Sequence, residues 1–395
     1  MFKKVGKLLF EMLHLIFNPA NFAAMLFLPW IALGVFGVVL LVQLYFYLRY
    51  FRLLAFYKKS EDLNQREHPV SVIICARDEA DQIEANIPGI LAQTYKSTHE
   101  VVVVNDNSQD DTKYLLDGLY KDFKQLHIIE LKQEAVHIPG KKFPLSVGIK
   151  SAKHELLLLT DADCIPSSEH WISKMQSGFS EGIDIVLGYG GYKKTKGLLN
   201  KIIRFDTFHT ALQYLSFALG GRPYMGVGRN LAYKKQLFFQ QKGFAAHHHL
   251  PGGDDDLFIN GCANERNTAV VVDKDAFTLS TPAKKWSEWI SQKERHNATG
   301  RYYKGSDRLT LAVYMMSHIL FYPALVFAFM YLPWTWILPA VSIKLLIQGF
   351  IFYRCMVKLN EKDLFPYFIL WDLWMILYYT YFLSSVWKKP RANWN

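Results

Sequence analysis

Two aspartates one residue apart, Asp161 and Asp163, close the run Leu156 to Cys164 (LLLLTDADC). Hard cations such as Mg2+ or Mn2+ take carboxylate oxygens together with substrate phosphates, so one or two carboxylates suffice when the substrate is a nucleotide diphosphate. A surface turn also produces D-x-D spacing. The four leucines before it read instead as a buried parallel strand, and ligands collect outside the carboxyl ends of such strands in open α/β sheets.

Three further polar groups stand where such a sheet would present them. Ala76-Arg77-Asp78-Glu79 and Asn105-Asp106-Asn107-Ser108 each follow an apolar run, and carboxylates there can accept from a base or ribose. Asp78 and Ser108 equally suit helix N-caps; Asp106 stands too early to be needed as one. Gly140-Lys141-Lys142 precedes a helical pattern, so an ammonium and a helix N-terminus can face bound phosphate, with a solvated surface pair as the alternative for Lys142. His247-His248-His249 invites a zinc reading that adjacency disfavours, because neighbouring histidines do not all face one ion without a special turn.

The elements that position these groups alternate. Pro69–Cys75, Val101–Val104, Ile128–Leu131 and Leu156–Thr160 read as strands, with helical patterns at about 79–93, 109–124 and 143–153 between them. That order predicts parallel βαβ units with right-handed crossovers. The fold class expected is α/β: a mostly parallel, nucleotide-binding sheet flanked by helices, with transmembrane helices at both ends.

Half of the 395 residues are hydrophobic (51%), and these concentrate at the two ends. Residues 25–48 carry no charge and exceed the roughly 20 needed to cross a bilayer. Further spans are expected at about 311–332, 334–353 and 365–387. Residues 1–20 read as an interfacial amphipathic helix, or one packed on the spans, rather than a signal peptide. The domain plan is therefore 1–20, a first span within 21–56, a catalytic body over 57–305 with an interfacial helix near 284–301, and a membrane region over 306–395. Trp286 and Trp289 suit that interfacial helix or simple packing. Asp372, inside the last expected span, lines a polar cavity or sits near an interfacial end.

The formal net charge is +10, with the basic residues beside the spans, where they meet membrane lipid headgroups rather than nucleic acid. Arg49, Arg52, Lys58 and Lys59, with Arg354, Lys358 and Lys362, place the body in the cytoplasm. Lys3, Lys4, Lys7, Lys388, Lys389 and Arg391 oppose that orientation if every segment crosses. An integral protein of a bacterial inner membrane is the expected setting. The four cysteines, Cys75, Cys164, Cys262 and Cys355, lack C-x-x-C spacing and read as free thiols of a reducing compartment.

Taken in order, IICARDEADQIEANIPGILAQTY, VVVVNDNSQDDT, GKKFPLSVGIKSA, LLLLTDADCIPSSEHWI, GVGRNLAY and GGDDDLF resemble a family 2 glycosyltransferase of the GT-A fold, over roughly 69–301. The membrane-integrated, cellulose synthase-like and ceramide glucosyltransferase-like members are the nearest in kind. The resemblance implies inverting transfer of a sugar from a nucleotide diphosphate, usually UDP-linked, with Mg2+ or Mn2+ bridging the diphosphate to the D-x-D. It implies that Ala76, Asp78 or Glu79 and Asp106 border the nucleoside and that Lys141 lies near the phosphates. Asp161 then meets ribose or metal, and Asp163 is the direct metal ligand.

A G-E-D-x-D-L segment carries the family's base. Here it reads Gly252-Gly253-Asp254-Asp255-Asp256-Leu257, which puts the base at Asp254, with Asp255 as second choice and Gly253 in the usual Glu place. A carboxylate in hydrogen-bond reach accepts the acceptor hydroxyl's proton as the new bond forms; acids crowding a helix N-terminus for its dipole are the alternative. Gly228, Arg229 and Asn230 border donor sugar and acceptor by the same resemblance, packing glycines being the alternative. Gln292 to His296 (QKERH) is similar to the Q-x-x-R-W signature, with His296 replacing tryptophan. Arg295 would hold the diphosphate; Gln292 and His296 would border the acceptor. The expected partners are thus a nucleotide sugar, a lipid or glycan acceptor, and membrane lipids, with no nucleic acid. A processive polysaccharide synthase and a non-catalytic scaffold or partner subunit of a glycan export complex are the other readings.

Overall fold

The computed structural model describes residues 19–58, 66–132 and 138–386. The segment 1–18 of the expected interfacial helix, Lys59, and Lys388, Lys389 and Arg391 lie outside them. Helix α1 (Pro19–Phe46) continues through a π-helical turn at Tyr47–Phe51 into α2 (Arg52–Phe56). It carries no charge before Arg49, as a lipid-facing helix requires.

The expected alternation follows: β1 (Val70–Ala76), α3 (Ala80–Leu91), β2 (His99–Asp106), α4 (Thr112–Asp122), β3 (Leu126–Leu131), α5 (Lys142–Ser151) and β4 (Leu156–Leu159). Strand β1 runs parallel to β2 and to β4, with Val70 opposite both His99 and Leu156, and β2 runs parallel to β3. Their carboxyl ends therefore share one edge, where Ala76 stands beside Asn105. The strands read as continuous apolar runs because both faces are covered. Val72, Ile74, Val101 and Val103 pack with Ile83, Ile87 and Ile90 of α3. On the other face α5 comes so close that a Cβ on Gly148 would lie 2.9 Å from Ile73 and 3.0 Å from Val104, which is why the helix carries glycine there.

The remaining elements are β5 (Cys164–Pro166), α6 (Trp171–Gln176), β6 (Ile185–Leu187), β7 (Gly190–Tyr192), α7 (Leu198–Leu219), β8 (Leu231–Lys234), α8 (Lys235–Gln240), α9 (Asp256–Cys262), β9 (Thr268–Val270), β10 (Thr278–Ser280) and α10 (Trp286–Asn297). They complete a seven-stranded sheet in the order β3-β2-β1-β4-β8-β6-β9, with β8 antiparallel to β4 and β6. A small sheet β5-β10-β7 stands apart from it. Polarity thus reverses immediately beyond β4, the strand that delivers the paired aspartates.

Helices α11 (Gly305–Tyr331) and α12 (Trp334–Lys358), like Phe27–Phe56, are long and apolar enough to cross a membrane, which gives the chain integral membrane character. By contact the chain divides into a unit of residues 1–48 with 310–350 and a unit of residues 49–309 with 351–395. The first packs through Phe36, Val39, Phe321, Ala324, Ala328 and Ile337. Inside it Gln43 donates to the Ser317 carbonyl at 3.0 Å, and the buried Lys344 ammonium lies 4.4 Å above the Phe321 ring.

The expected fourth crossing at about 365–387 takes another form. A 3-10 stretch at Lys362–Tyr367 leads into α13 (Phe368–Phe382), whose 15 residues are followed by 3-10 turns at Leu383–Val386. The aromatic face of α13 is covered by protein: Trp374, Tyr378 and Phe382 surround Trp289 of α10. Asp372 is buried in this helix. Hydropathy alone does not separate such a helix from a span.

Candidate active site

The turn after β4 is fixed from behind by Thr160, whose hydroxyl donates to the Arg229 carbonyl at 2.9 Å. It presents Asp161 and Asp163, whose carboxylate oxygens and the Cys164 sulfur lie within 4.8 Å of one another. The donor set fits a hard cation through its two carboxylates. Cys164, a soft ligand less suited to a hard cation, donates to Asp163 Oδ1 at 3.3 Å and lies 3.0 Å from Ser280 Oγ, and burial pushes its thiol well up. Burial, then Asp161, pushes the Asp163 carboxyl up, since two neighbouring carboxylates resist ionising together. Burial acts on Asp161 in the same sense, but Lys141 overcomes it and holds that carboxyl below its ordinary value.

Lys141 is the hub. Its Nζ lies 2.7 Å from Asp161 Oδ1 and 3.3 Å from Asp254 Oδ2, joining the D-x-D turn to the first of the three acids before α9. Against its burial, Asp161, Asp254 and Asp255 hold the ammonium well above the ordinary lysine value.

The three consecutive acids have separate roles in the structure. Asp256 is buried and occupied: it accepts from the Leu257 amide at 2.7 Å, from the Tyr303 hydroxyl at 2.8 Å, and from the Thr299 hydroxyl. Asp255 caps α9, accepting from the Asp256 amide at 2.7 Å and from the Gly228 amide at 2.7 Å. Burial, then Asp254 and Asp256, raises its carboxyl to about 7. Asp254, also buried, instead faces Lys141. Gly253 has φ +93°, and a Cβ there would lie 2.5 Å from Leu257 Cδ1. A side chain at this place, the family's usual Glu, would be strained in backbone and would have to displace Leu257.

At the ends of β1 and β2 the two following loops clamp each other. The Asp78 amide donates to Ser108 Oγ at 3.0 Å, and the Gln109 amide to Asp78 Oδ1 at 2.6 Å. The Ala80 amide at the start of α3 donates to Asp110 Oδ2 at 3.0 Å. The capping alternative for Asp78 and Ser108 is thus corrected: Asp110 meets the amide at the start of α3, while Asp78 and Ser108 join the loops. Ala76 and Asp106 are buried at the strand ends. Burial, then Asp163 and Asp161, raises the Glu79 carboxyl to about 7.

Arg229 spans the opposite rim. Its guanidinium lies 4.3 Å over the Tyr192 ring and donates to the Gly191 carbonyl at 3.2 Å and to Ser280 Oγ at 3.3 Å. Tyr192 in turn donates to Gln292 Oε1 at 3.5 Å. His296, four residues further along α10, shares Gln292's side of that helix and is exposed. Burial lowers the Arg295 guanidinium, and Asp254 opposes it. Asn230 is turned away: fully buried, it accepts from Trp171 Nε1 at 3.0 Å and donates to the Tyr189 and Ala276 carbonyls at 3.0 and 2.7 Å. Its position is a packing bolt behind the site.

Lys142 departs from the surface alternative. It is buried and donates to the carbonyls of Leu250 and Gly252. Thr299, Tyr303 and Tyr192 likewise escaped the sequence reading, since only the folded chain brings them to Asp256 and Arg229. Among the described residues the triple histidine is not in the metal-competent group. His248 bonds the Ala245 carbonyl at 2.9 Å, and burial lowers His247 to about 4. The cysteines are free, as expected.

Paired aspartates close β4, the strand at which the parallel run β3-β2-β1-β4 meets the antiparallel β8, in a mixed sheet like that of the GT-A fold. Residues 71–239 match the Glycosyl transferase family 2 model, and this part of the chain is a family 2 glycosyltransferase domain. The chain is 30% identical over 193 residues, 47% of its length, to glycosyltransferase AglE of Haloferax volcanii. It is 29% identical over 108 residues, 27% of its length, to a poly-beta-1,6-N-acetyl-D-glucosamine synthase of Staphylococcus aureus. It spans 58% and 25% of those relatives' own lengths, less than two thirds of either. The fold resembles mannosyltransferase PcManGT of Pyrobaculum calidifontis, solved with GDP-Man and Mn2+, with a TM-score of 0.56 at 19% identity over 88% of this chain and 99% of that one.

Proposed function

We propose that this chain transfers a sugar, with inversion, from a nucleoside diphosphate sugar, a UDP-sugar first among them, to a hydroxyl of a membrane-associated lipid or lipid-linked glycan. The observation that carries the reading is the Lys141 ammonium, held at once by Asp161 of the D-x-D turn and by the buried Asp254. One lysine thereby joins the donor's diphosphate end to the proton acceptor.

In this reading Ala76, Asp78, Glu79 and Asp106 border the nucleoside. Asp161 and Asp163 would hold Mg2+ or Mn2+, which when bound neutralises charge growing on the leaving phosphate. Lys141 and Arg295 bind the diphosphate oxygens. The acceptor hydroxyl oxygen bonds to the anomeric carbon on the face opposite the diphosphate, its proton passes to a carboxylate oxygen of Asp254, and the carbon–oxygen bond to phosphate breaks with its electron pair leaving on the nucleoside diphosphate. Asp255 fits the base less well, because both of its oxygens already accept backbone amides. His296 opens the rim where the related signature has tryptophan, and it favours a hydrogen-bonded acceptor over a sugar stacked on an indole. Arg49 and Arg52 after the first span, and Arg354 and Lys358 at the end of α12, support a cytoplasmic catalytic unit.

The test is nucleoside diphosphate release by detergent-purified protein with membrane lipid extract, across a panel of UDP- and GDP-sugars, with and without Mn2+ or Mg2+. The reading expects metal-dependent turnover with one donor and a product of single added sugars. A high polymer on a gel would replace single transfer by processive synthesis; binding of a donor without transfer or hydrolysis would favour the scaffold.

A further inference from the structure

We propose that Lys142 is a positioning residue for this reaction, acting through the Leu250–Gly253 loop to hold Asp254 where Lys141 meets it; the inference rests on the function proposed above. The ammonium of Lys142 is almost wholly removed from solvent, with 1% of the residue exposed. Its bonds go to two backbone carbonyls, Leu250 and Gly252, rather than to a carboxylate. Removing an ammonium from water is costly unless its donors are satisfied, so the fold retains this arrangement at an expense that solvent exposure would avoid.

The loop it grips is irregular, and backbone carbonyls in such a segment need partners that strands would otherwise supply. Between the two gripped residues, Pro251 is held from the same turn by another means. Gly140, at φ +74°, approaches so closely that a Cβ there would lie 2.1 Å from the Pro251 carbonyl oxygen. Three consecutive loop residues are thus set against Gly140 and Lys142, and Asp254 follows two residues after Gly252. Between the two grips stands Lys141, 2.7 Å from Asp161 and 3.3 Å from Asp254. The Gly140–Lys142 turn is therefore one rigid piece: its middle residue faces donor and base, and its outer residues fix the loop that bears the base. A displacement of about 1 Å at a reacting group costs on the order of 100-fold in rate.

The experiment compares wild type with Lys142→Met, Lys142→Arg, Gly140→Ala and the exposed-site control Lys150→Met. It reads hydrogen exchange of peptides covering 250–256, nucleotide binding, and turnover. Lys142→Met is expected to speed exchange in that segment about tenfold and to lower kcat on the order of 100-fold, while nucleotide affinity stays within about threefold. Lys142→Arg recovers part of both losses, Gly140→Ala reproduces the Lys142→Met pattern, and the control does neither. Should Lys142→Met fail to fold, Gly140→Ala and Lys142→Arg decide. Unchanged exchange, or lost nucleotide affinity with kcat intact, overturns the inference. If wild type turns over no donor, the proposed function fails, and the exchange measurement alone still decides whether Lys142 holds the loop.

Discussion

Replacing Lys141 by Met removes a side chain that touches both acidic groups of the site, and its two consequences have opposite signs. At 2.7 Å and 3.3 Å with an effective dielectric constant of about 20, the gross attractions of Lys141 to Asp161 and Asp254 are about 6 and 5 kcal/mol. Desolvation cancels most of this, leaving roughly 1.5–3 kcal/mol for a hydrogen bond to a charged group. If the same ammonium binds the donor diphosphate, its loss weakens nucleotide binding about 10- to 150-fold. In the free protein, however, Lys141 occupies an oxygen of Asp161 that a cation would need. Lys141→Met should therefore bind Mn2+ alone more tightly than wild type and the metal–nucleotide complex more weakly. Electron paramagnetic resonance titration of Mn2+, with and without nucleoside diphosphate, measures both. Parallel changes in the two affinities, or nucleotide affinity within about threefold of wild type, would refute the assignment of Lys141 to donor and metal site together.

Three further outcomes follow from contacts elsewhere in the catalytic unit. Tyr303→Phe keeps the ring against Tyr224 but deletes one of the hydroxyls on buried Asp256, and should cost about 1.5–3 kcal/mol, read as a lowered midpoint of thermal unfolding. Lys293 of α10 pairs with buried Asp206 of α7. Asp206→Asn should destabilise by about 3–5 kcal/mol through the stranded ammonium, and adding Lys293→Met should recover much of that, whereas additive losses would show the pair to be uncoupled. Glu79 is raised from 4.5 to about 7, so its ionisation opposes folding. The penalty is absent below pH 4.5, grows as pH rises towards 7, and is full above it. Glu79→Gln should thus gain stability over wild type between pH 5 and 8, by no more than about 1 kcal/mol after solvent screening, and equal pH dependence in the two proteins would contradict the sign.

The half of the sheet from β1 to β4 was legible because parallel strands covered on both faces leave unbroken apolar runs ended by polar turns. Asp161 and Asp163 stood out for that reason. Beyond β4 the strands shorten to three or four residues, β8 alone in the large sheet runs against the rest, and no periodicity marks them. Sequence put the base at Asp254 by alignment, with Asp255 second, but it gave no sign of the backbone amides on Asp255 or of the hydroxyls of Thr299 and Tyr303, more than 40 residues along the chain, that occupy Asp256. Lys142 reads like any surface lysine until its two carbonyl partners, more than 100 residues away, are seen.

The most direct test of the central claim compares Asp254→Asn with Asp255→Asn in metal-dependent nucleoside diphosphate release, with nucleotide binding measured in parallel. Loss of about 10²- to 10⁴-fold in turnover for Asp254→Asn, with nucleotide binding intact and a smaller loss for Asp255→Asn, is the result predicted for a general base. Full turnover by Asp254→Asn would contradict it and move the proton acceptor to Asp255.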